Sequence, residues 1–187
     1  MNPDGVLLVA GRIMKEKALR AALAHENVRA FLRVIREGET SQTDEAYRMT
    51  FGGDLVESLS DHPRRVVRRM LGGKSIASSA AGAYQFLTGT WDECAAALGL
   101  PDFSPASQDL AAVFLIDRRR ALDDVIAGRI DEAIRKCARE WASLPGSPYG
   151  QPTKTLAQAK AVYEVNGGGY SPASQIAPAK PTTERGN

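Results

Sequence analysis

Eight residues constrain this chain most. From Val28 to Ile35 the apolar side chains Val28, Phe31, Leu32 and Ile35 fall at i, i+3, i+4 and i+7, the spacing of a helix that buries one face. At about 100° per residue, Arg29, Arg33 and Arg36 make the solvated side, and Glu37 falls where that side meets Ala30 and Val34. Gly38 reads as the residue that stops the helix, which places Glu37 in the last turn. There the unsatisfied carbonyls and the negative end of the helix dipole disfavour a second negative charge. A carboxylic acid that keeps its proton near neutral pH is what glycosidic bond cleavage requires, because the leaving oxygen must be protonated. The other reading is a surface glutamate at a frayed helix end, and spacing by itself favours it, because perturbed carboxylates are the minority.

Length and composition narrow the setting. A chain of 187 residues, 43% hydrophobic and 25% charged, is expected to be one globular domain with terminal extensions and a sizeable core. The net charge of +2 is too small to signal nucleic-acid binding. The positives are nonetheless clustered, at Arg64, Arg65, Arg68 and Arg69 and at Arg118 to Arg120. They read as solvated helix faces, with a patch for an anionic wall or membrane polymer as the alternative. Cys94 and Cys137 are too few and too far apart for a disulfide framework or a zinc site, so buried free thiols are expected. The five-residue apolar run Val6 to Ala10 is too short for a signal peptide, and no stretch could span a membrane. The expectation is synthesis in the cytoplasm, with a separate exit route to any substrate outside it.

Three regions are expected: an N-terminal helical extension over residues 1–26, a main domain over 27–170 and a flexible tail over 171–187 that is rich in Pro, Ala, Thr and Lys. Between Thr40 and Gly53 the alternation of Tyr47, Met49 and Phe51 before the Gly52-Gly53 turn suggests a small β-hairpin beside the glutamate. Helical patterns follow at Arg64–Leu71, Ala83–Leu98, Ser107–Ala127 and Ile130–Trp141, and Ser104-Pro105 reads as a capped helix start. The Gly167–Gly169 run lacks the strand, lysine and spacing of a phosphate-binding loop.

Six blocks then line up in a recognisable order: REGET around Glu37, FGGDL at Phe51–Leu55, SDHPR at Ser60–Arg64, AAGAYQFL at Ala80–Leu87, LGLPDFSPASQD at Leu98–Asp109 and WASLPGSPYGQ at Trp141–Gln151. Between Asn27 and Gly169 the chain resembles the phage lambda-type endolysin family, lysozymes that act as lytic transglycosylases on peptidoglycan. The resemblance implies a mainly α (α+β) lysozyme-like fold, with two lobes, a cleft and a small β-hairpin. It also implies cleavage of the β-1,4 bond between N-acetylmuramic acid and N-acetylglucosamine, with Glu37 as the catalytic acid and 1,6-anhydromuramic ends as product. A hydrolytic muramidase using the same glutamate, or an inactive peptidoglycan-binding module, are the alternatives.

Substrate contacts are expected from Tyr84, Gln85, Ser79, Asp44, Ser143, Tyr149 and Gln151, whose hydroxyls, amides and carboxylate suit sugar hydroxyls and N-acetyl groups. Tyr84 reads equally as a core tyrosine. Asp44, Glu45, Asp54 and Asp61 are the candidates for a second carboxylate, with a structural role favoured for each and Asp44 the first to test. Trp91 and Trp141 read as packing, and His62 as a turn residue without metal spacing. No cofactor or metal is expected. The expected partner is the peptidoglycan glycan strand, without nucleic acid or stable membrane insertion, for a monomer that reaches periplasmic peptidoglycan after holin-type release.

Overall fold

The computed structural model describes residues 3–71, 73–150 and 153–172, with the backbone alone at residues 3–10, 71 and 74. Among the described residues, seven helices and one hairpin follow in order: α1 (Pro3–Leu23), α2 (Glu26–Glu39), β1 (Val67–Leu71), β2 (Lys74–Ser78), α3 (Thr88–Leu98), α4 (Pro105–Arg118), α5 (Leu122–Ile126), α6 (Ile130–Cys137) and α7 (Leu156–Val165). Residues 173–187 of the expected tail lie outside the described residues. Among the described residues no helix is long and apolar enough to cross a membrane.

The 28–35 periodicity becomes the centre of the fold. α2 starts at His25, whose ring nitrogen accepts from the Asn27 amide at 3.2 Å, and buries Val28, Ala30, Phe31, Leu32, Val34 and Ile35 against α1, α4, α5 and α7. Each large apolar side chain so buried contributes about 1.5–3 kcal/mol relative to leaving it in water. Two features depart from the sequence reading. Arg36 is 3% exposed, because its guanidinium donates to Tyr47 Oη at 3.0 Å and to the Thr43 carbonyl at 2.9 Å and stacks on the Tyr47 ring. The helix also does not stop at Gly38. It runs on to Glu39, and Thr40 closes it with its amide on the Arg36 carbonyl at 2.8 Å.

α4 is buried along most of its length and supplies Leu110 to Ile116 to the same core. Its start follows the sequence, with Ser104 accepting from the Ser107 amide and Pro105 in the first turn. Arg120, at φ 54°, breaks the helical pattern expected over Ser107–Ala127 into α4 and α5. A cluster of Phe86, Trp91 and Phe103 with the His62 ring fixes α3 to the loops around it, so Trp91 is packing as expected. His62 is a buried turn residue whose Nε2 meets the Phe86 carbonyl at 2.9 Å.

The hairpin is the main displacement from expectation. Residues 40–53 hold a single 3-10 turn over Asp44–Arg48 and two isolated bridges, Met49 to Leu55 and Thr50 to Ala81. The antiparallel pair is instead β1 with β2, in register Val67 to Ser78 through Leu71 to Lys74, where a helix was expected over Arg64–Leu71. The β-branched Val66 and Val67 favour extended backbone, and Gly73 at φ 77° makes the tight turn that a hairpin needs.

Cys94 and Cys137 are both buried and unpaired, and burial pushes each thiol up to about 12. We therefore expect both to react with an aromatic disulfide reagent at least about a hundredfold more slowly than in the unfolded chain, since only thiolate attacks. Fast labelling of either thiol under native conditions would contradict this packing.

Candidate active site

The end of α2 forms one wall of a cavity of about 620 Å³. Gly38, Glu39 and Thr40 line it together with Trp141, Ala142, Ser143 and Tyr149. Met49 to Phe51, Gly53, Ala80, Gln85, Leu87 and Glu140 complete the lining, and Arg69 and Ser78 reach it from the hairpin. Thr40 Oγ1 donates to the Ala83 carbonyl at 3.0 Å, which ties the helix end to the opposite segment.

Glu39 is the carboxylate that this cleft presents. Ser143 donates to its Oε1 twice, from Oγ at 2.7 Å and from the backbone amide at 3.3 Å. Burial raises its pKa, and the two Ser143 bonds oppose that rise without cancelling it. The carboxyl therefore keeps its proton to higher pH than a free glutamate. Two residues apart on a helix means about 200° of rotation, so Glu37 and Glu39 point to opposite sides of α2. Glu37 is half-exposed and lies outside the cleft lining, with Lys154 Nζ at 3.4 Å and Gln42 Nε2 at 3.1 Å from its oxygens. The position expected for Glu37 from the wheel thus belongs to Glu39, because the helix runs through Gly38.

Gly38 has a tertiary reason to be glycine. A Cβ added there would lie 2.3 Å from Ser143 Oγ and 2.7 Å from Ser143 Cβ. Absence of a side chain lets the Ser143 loop close on the helix, and the Lys154 amide pins that loop by donating to the Ser143 carbonyl at 3.0 Å.

The other expected site residues divide. Gln85, Ser143 and Tyr149 line the cleft. Gln85 sits at φ 49°, and its amide nitrogen is taken by the Met49 and Gly82 carbonyls, which leaves the side-chain oxygen for a ligand. Tyr84 does not line it: 1% exposed, it donates its hydroxyl to Asp109 Oδ1 at 2.6 Å in the core. Ser79 also faces elsewhere and accepts from the Thr88 amide at the start of α3, while its neighbour Ser78 lines the cavity. Asp44 is exposed at the start of the 3-10 turn and Glu45 beside it is exposed too; neither lines the cleft. Asp54 pairs with Arg65 at 2.8 Å and Asp61 with Arg64 at 3.1 Å, both at the surface. Gln151 lies outside the described residues.

Glu140, Trp141 and Arg69 were not anticipated at the cleft. Trp141 is packed as expected and lines the cavity as well, its indole donating to the Tyr84 carbonyl at 3.3 Å. Glu140 is clamped by Arg118 at 2.7 Å and Arg119 at 2.6 Å, so its carboxylate is held in ion pairs at the back of the wall. The clustered arginines 118 and 119 therefore serve an internal contact rather than a solvated face.

Comparison with known proteins agrees with this geometry. The endolysin family model matches residues 29–170. The endolysin of Escherichia phage P2 is 37% identical over 156 residues, covering 77% of this chain and 94% of the phage protein. That of Escherichia phage lambda is 42% identical over 114 residues, covering 61% and 70%. Among solved structures, bacteriophage lambda lysozyme complexed with a chitohexasaccharide superposes with a TM-score of 0.71 at 36% identity, over 78% of this chain and 96% of that one. A helical fold with one small hairpin, a cleft at the end of its central helix and relatives of this kind place the chain in the endolysin family, with a lysozyme-like fold of the lambda type.

Proposed function

We propose that this chain cuts the β-1,4 bond between N-acetylmuramic acid and N-acetylglucosamine in peptidoglycan by lytic transglycosylation, with Glu39 as the acid and base. The observation that carries the reading is the desolvated Glu39 carboxyl in the cleft wall, held by two Ser143 donors. A protonated carboxyl there can give its proton to the glycosidic oxygen as the bond to C1 of muramic acid breaks. The carboxylate that results takes the proton of the C6 hydroxyl on the same sugar, and O6 closes on C1. The product is a 1,6-anhydro ring, and no water is consumed.

A single working carboxylate suits that route. A hydrolase of the usual kind needs a second, about 5 Å away for retention or about 6.5–9.5 Å for inversion. The other acid in the cleft lining, Glu140, is already neutralised by two arginines, and Asp44, Asp54 and Asp61 lie away from the cleft. The lambda lysozyme carries a chitohexasaccharide in its solved structure, and by that likeness the cleft here takes a run of N-acetylated sugars. A pure binding module would have no use for a carboxyl that burial destabilises in its charged form. We further propose action as a monomer on the cell wall of a phage host, reached after a holin-type release from the cytoplasm.

Mass spectrometry of the fragments released from purified peptidoglycan tests the chemistry. Anhydromuramic ends are expected. Reducing muramic acid ends, one water heavier, would instead establish a hydrolytic muramidase.

A further inference from the structure

Four arginines stand in and before the first strand of the hairpin, and their partners differ. Arg64 pairs with Asp61 and Asp92, and Arg65 with Asp54. Arg68 and Arg69 have no ion-pair partner among the described residues. Strand alternation sends these two to opposite faces of β1. Only Arg69 reaches the cleft that holds Glu39. Its guanidinium lies over Gly53, where an added Cβ would come 3.4 Å from Nη2, and a Cβ on Gly52 would meet the Val67 side chain at 2.9 Å. The Gly52-Gly53 pair thus lets the Val67 and Arg69 face of the hairpin settle on the cleft floor.

An exposed cation with open donors on a cleft read as sugar-binding is informative, because the sugar rings of the strand carry no charge. Arg presents a planar fork of N–H groups that matches a carboxylate. Carboxylates on a peptidoglycan strand come from the substituent at O3 of muramic acid: those of the stem peptide where one is attached, or the lactyl acid itself where the peptide has been removed. We propose that Arg69 forms an anion subsite of the cleft that binds a carboxylate carried by the muramic acid substituent, so that this chain prefers acid-bearing glycan over neutral N-acetylglucosamine polymer. The subsite rests on the proposed glycan-cleaving function and deepens it.

The test compares wild type, Arg69→Gln, Arg69→Lys and Arg68→Gln on three substrates: intact peptidoglycan, the same material with its carboxyls methyl-esterified, and strands stripped of peptides by an amidase. A charge-assisted hydrogen bond of the kind lost in Arg69→Gln corresponds to about a tenfold drop in kcat/KM. That drop is expected on intact peptidoglycan, with partial recovery in Arg69→Lys and less than about twofold change in Arg68→Gln, which removes the same charge from the opposite face. On esterified material wild type and Arg69→Gln should coincide. Because the lactyl carboxyl of intact peptidoglycan is tied up in the amide to the stem peptide, the loss on intact material assigns a stem-peptide carboxylate. Its disappearance on peptide-stripped strands confines the subsite to the peptide, and its persistence there shows that Arg69 also takes the lactyl carboxylate that the amidase frees. An equal loss on esterified and intact material, or no loss on intact material, overturns the subsite while leaving the cleavage reading in place. Failure of wild type to release fragments from any of the three overturns both.

Discussion

Glu39→Gln is expected to lower kcat/KM on peptidoglycan by about a thousandfold, within the 10²–10⁴ range of a lost general acid, with the fold intact. The amide still accepts both Ser143 hydrogen bonds but has no proton to give. Glu37→Gln is the internal comparison. It removes a half-exposed pair with Lys154, an interaction of about 1 kcal/mol or less, so its activity should stay within about fivefold of wild type. The reverse ranking would return the catalytic role to Glu37 and leave the cleft geometry without a purpose. Stability should move the other way from activity. The folded Glu39 has its pKa above the 4.5 of a free glutamate, so the protein loses stability as pH rises through the folded value and the buried group must ionise. Gln carries no such cost. Thermal denaturation should therefore find Glu39→Gln more stable than wild type at neutral pH, with the difference closing below about pH 4.5. A variant that is less stable than wild type at neutral pH would contradict the burial of this carboxyl.

The distance between those two glutamates in sequence explains what could be read and what could not. The apolar positions of α2 were legible, because Val28, Phe31, Leu32 and Ile35 repeat with the helix period and all enter the core. The end of the helix was not. Glycine after a helical run signals a C-terminus locally, whereas Gly38 is glycine because Ser143, far along the chain, occupies the space of its side chain. A helix stopped at Gly38 puts Glu37 at the cleft in place of Glu39. The same wheel assigns Arg36 to water, and only the tertiary partners Tyr47 and Thr43 bring it inside. The hairpin was hidden for a similar reason. Arg64, Arg65, Arg68 and Arg69 have helical spacing, yet it carries no packing information, since Arg64 and Arg65 answer to Asp61, Asp92 and Asp54, Arg69 to the cleft and Arg68 to neither. Of Tyr84 and Gln85, adjacent in one tight turn, only Gln85 lines the cleft, and a residue at φ 49° follows no period from which that could be read. Four of the six family blocks, those around Glu37, Phe51, Ala80 and Trp141, contribute side chains to the cleft lining, but choosing the side chain within each block required the backbone.

Gly38→Ala is expected to cost activity without unfolding the chain. In a helix interior Ala is favoured over Gly by about 1 kcal/mol, which offsets part of the roughly 1–3 kcal/mol of overpacking, so the net change in stability is small. The new Cβ cannot coexist with Ser143 where it stands, at 2.3 Å from Oγ and 2.7 Å from Cβ. Either α2 or the Ser143 loop must shift, and the loop is pinned through the Lys154 amide. Misplacing a reacting group by about 1 Å costs about a hundredfold, and a tenfold to hundredfold drop in kcat/KM is expected here. Ser143→Gly separates this clash from any effect on the helix. By itself it removes one of two donors to Glu39, for about a tenfold loss. Because it also removes the atoms that the new methyl group would strike, the double variant Gly38→Ala with Ser143→Gly should match Ser143→Gly alone rather than show the product of the two losses. Multiplicative losses in the double variant, or wild-type activity in Gly38→Ala, would show that the close approach of these two residues does not position Glu39. The single methyl group is thus a measure of how tightly the acid is held.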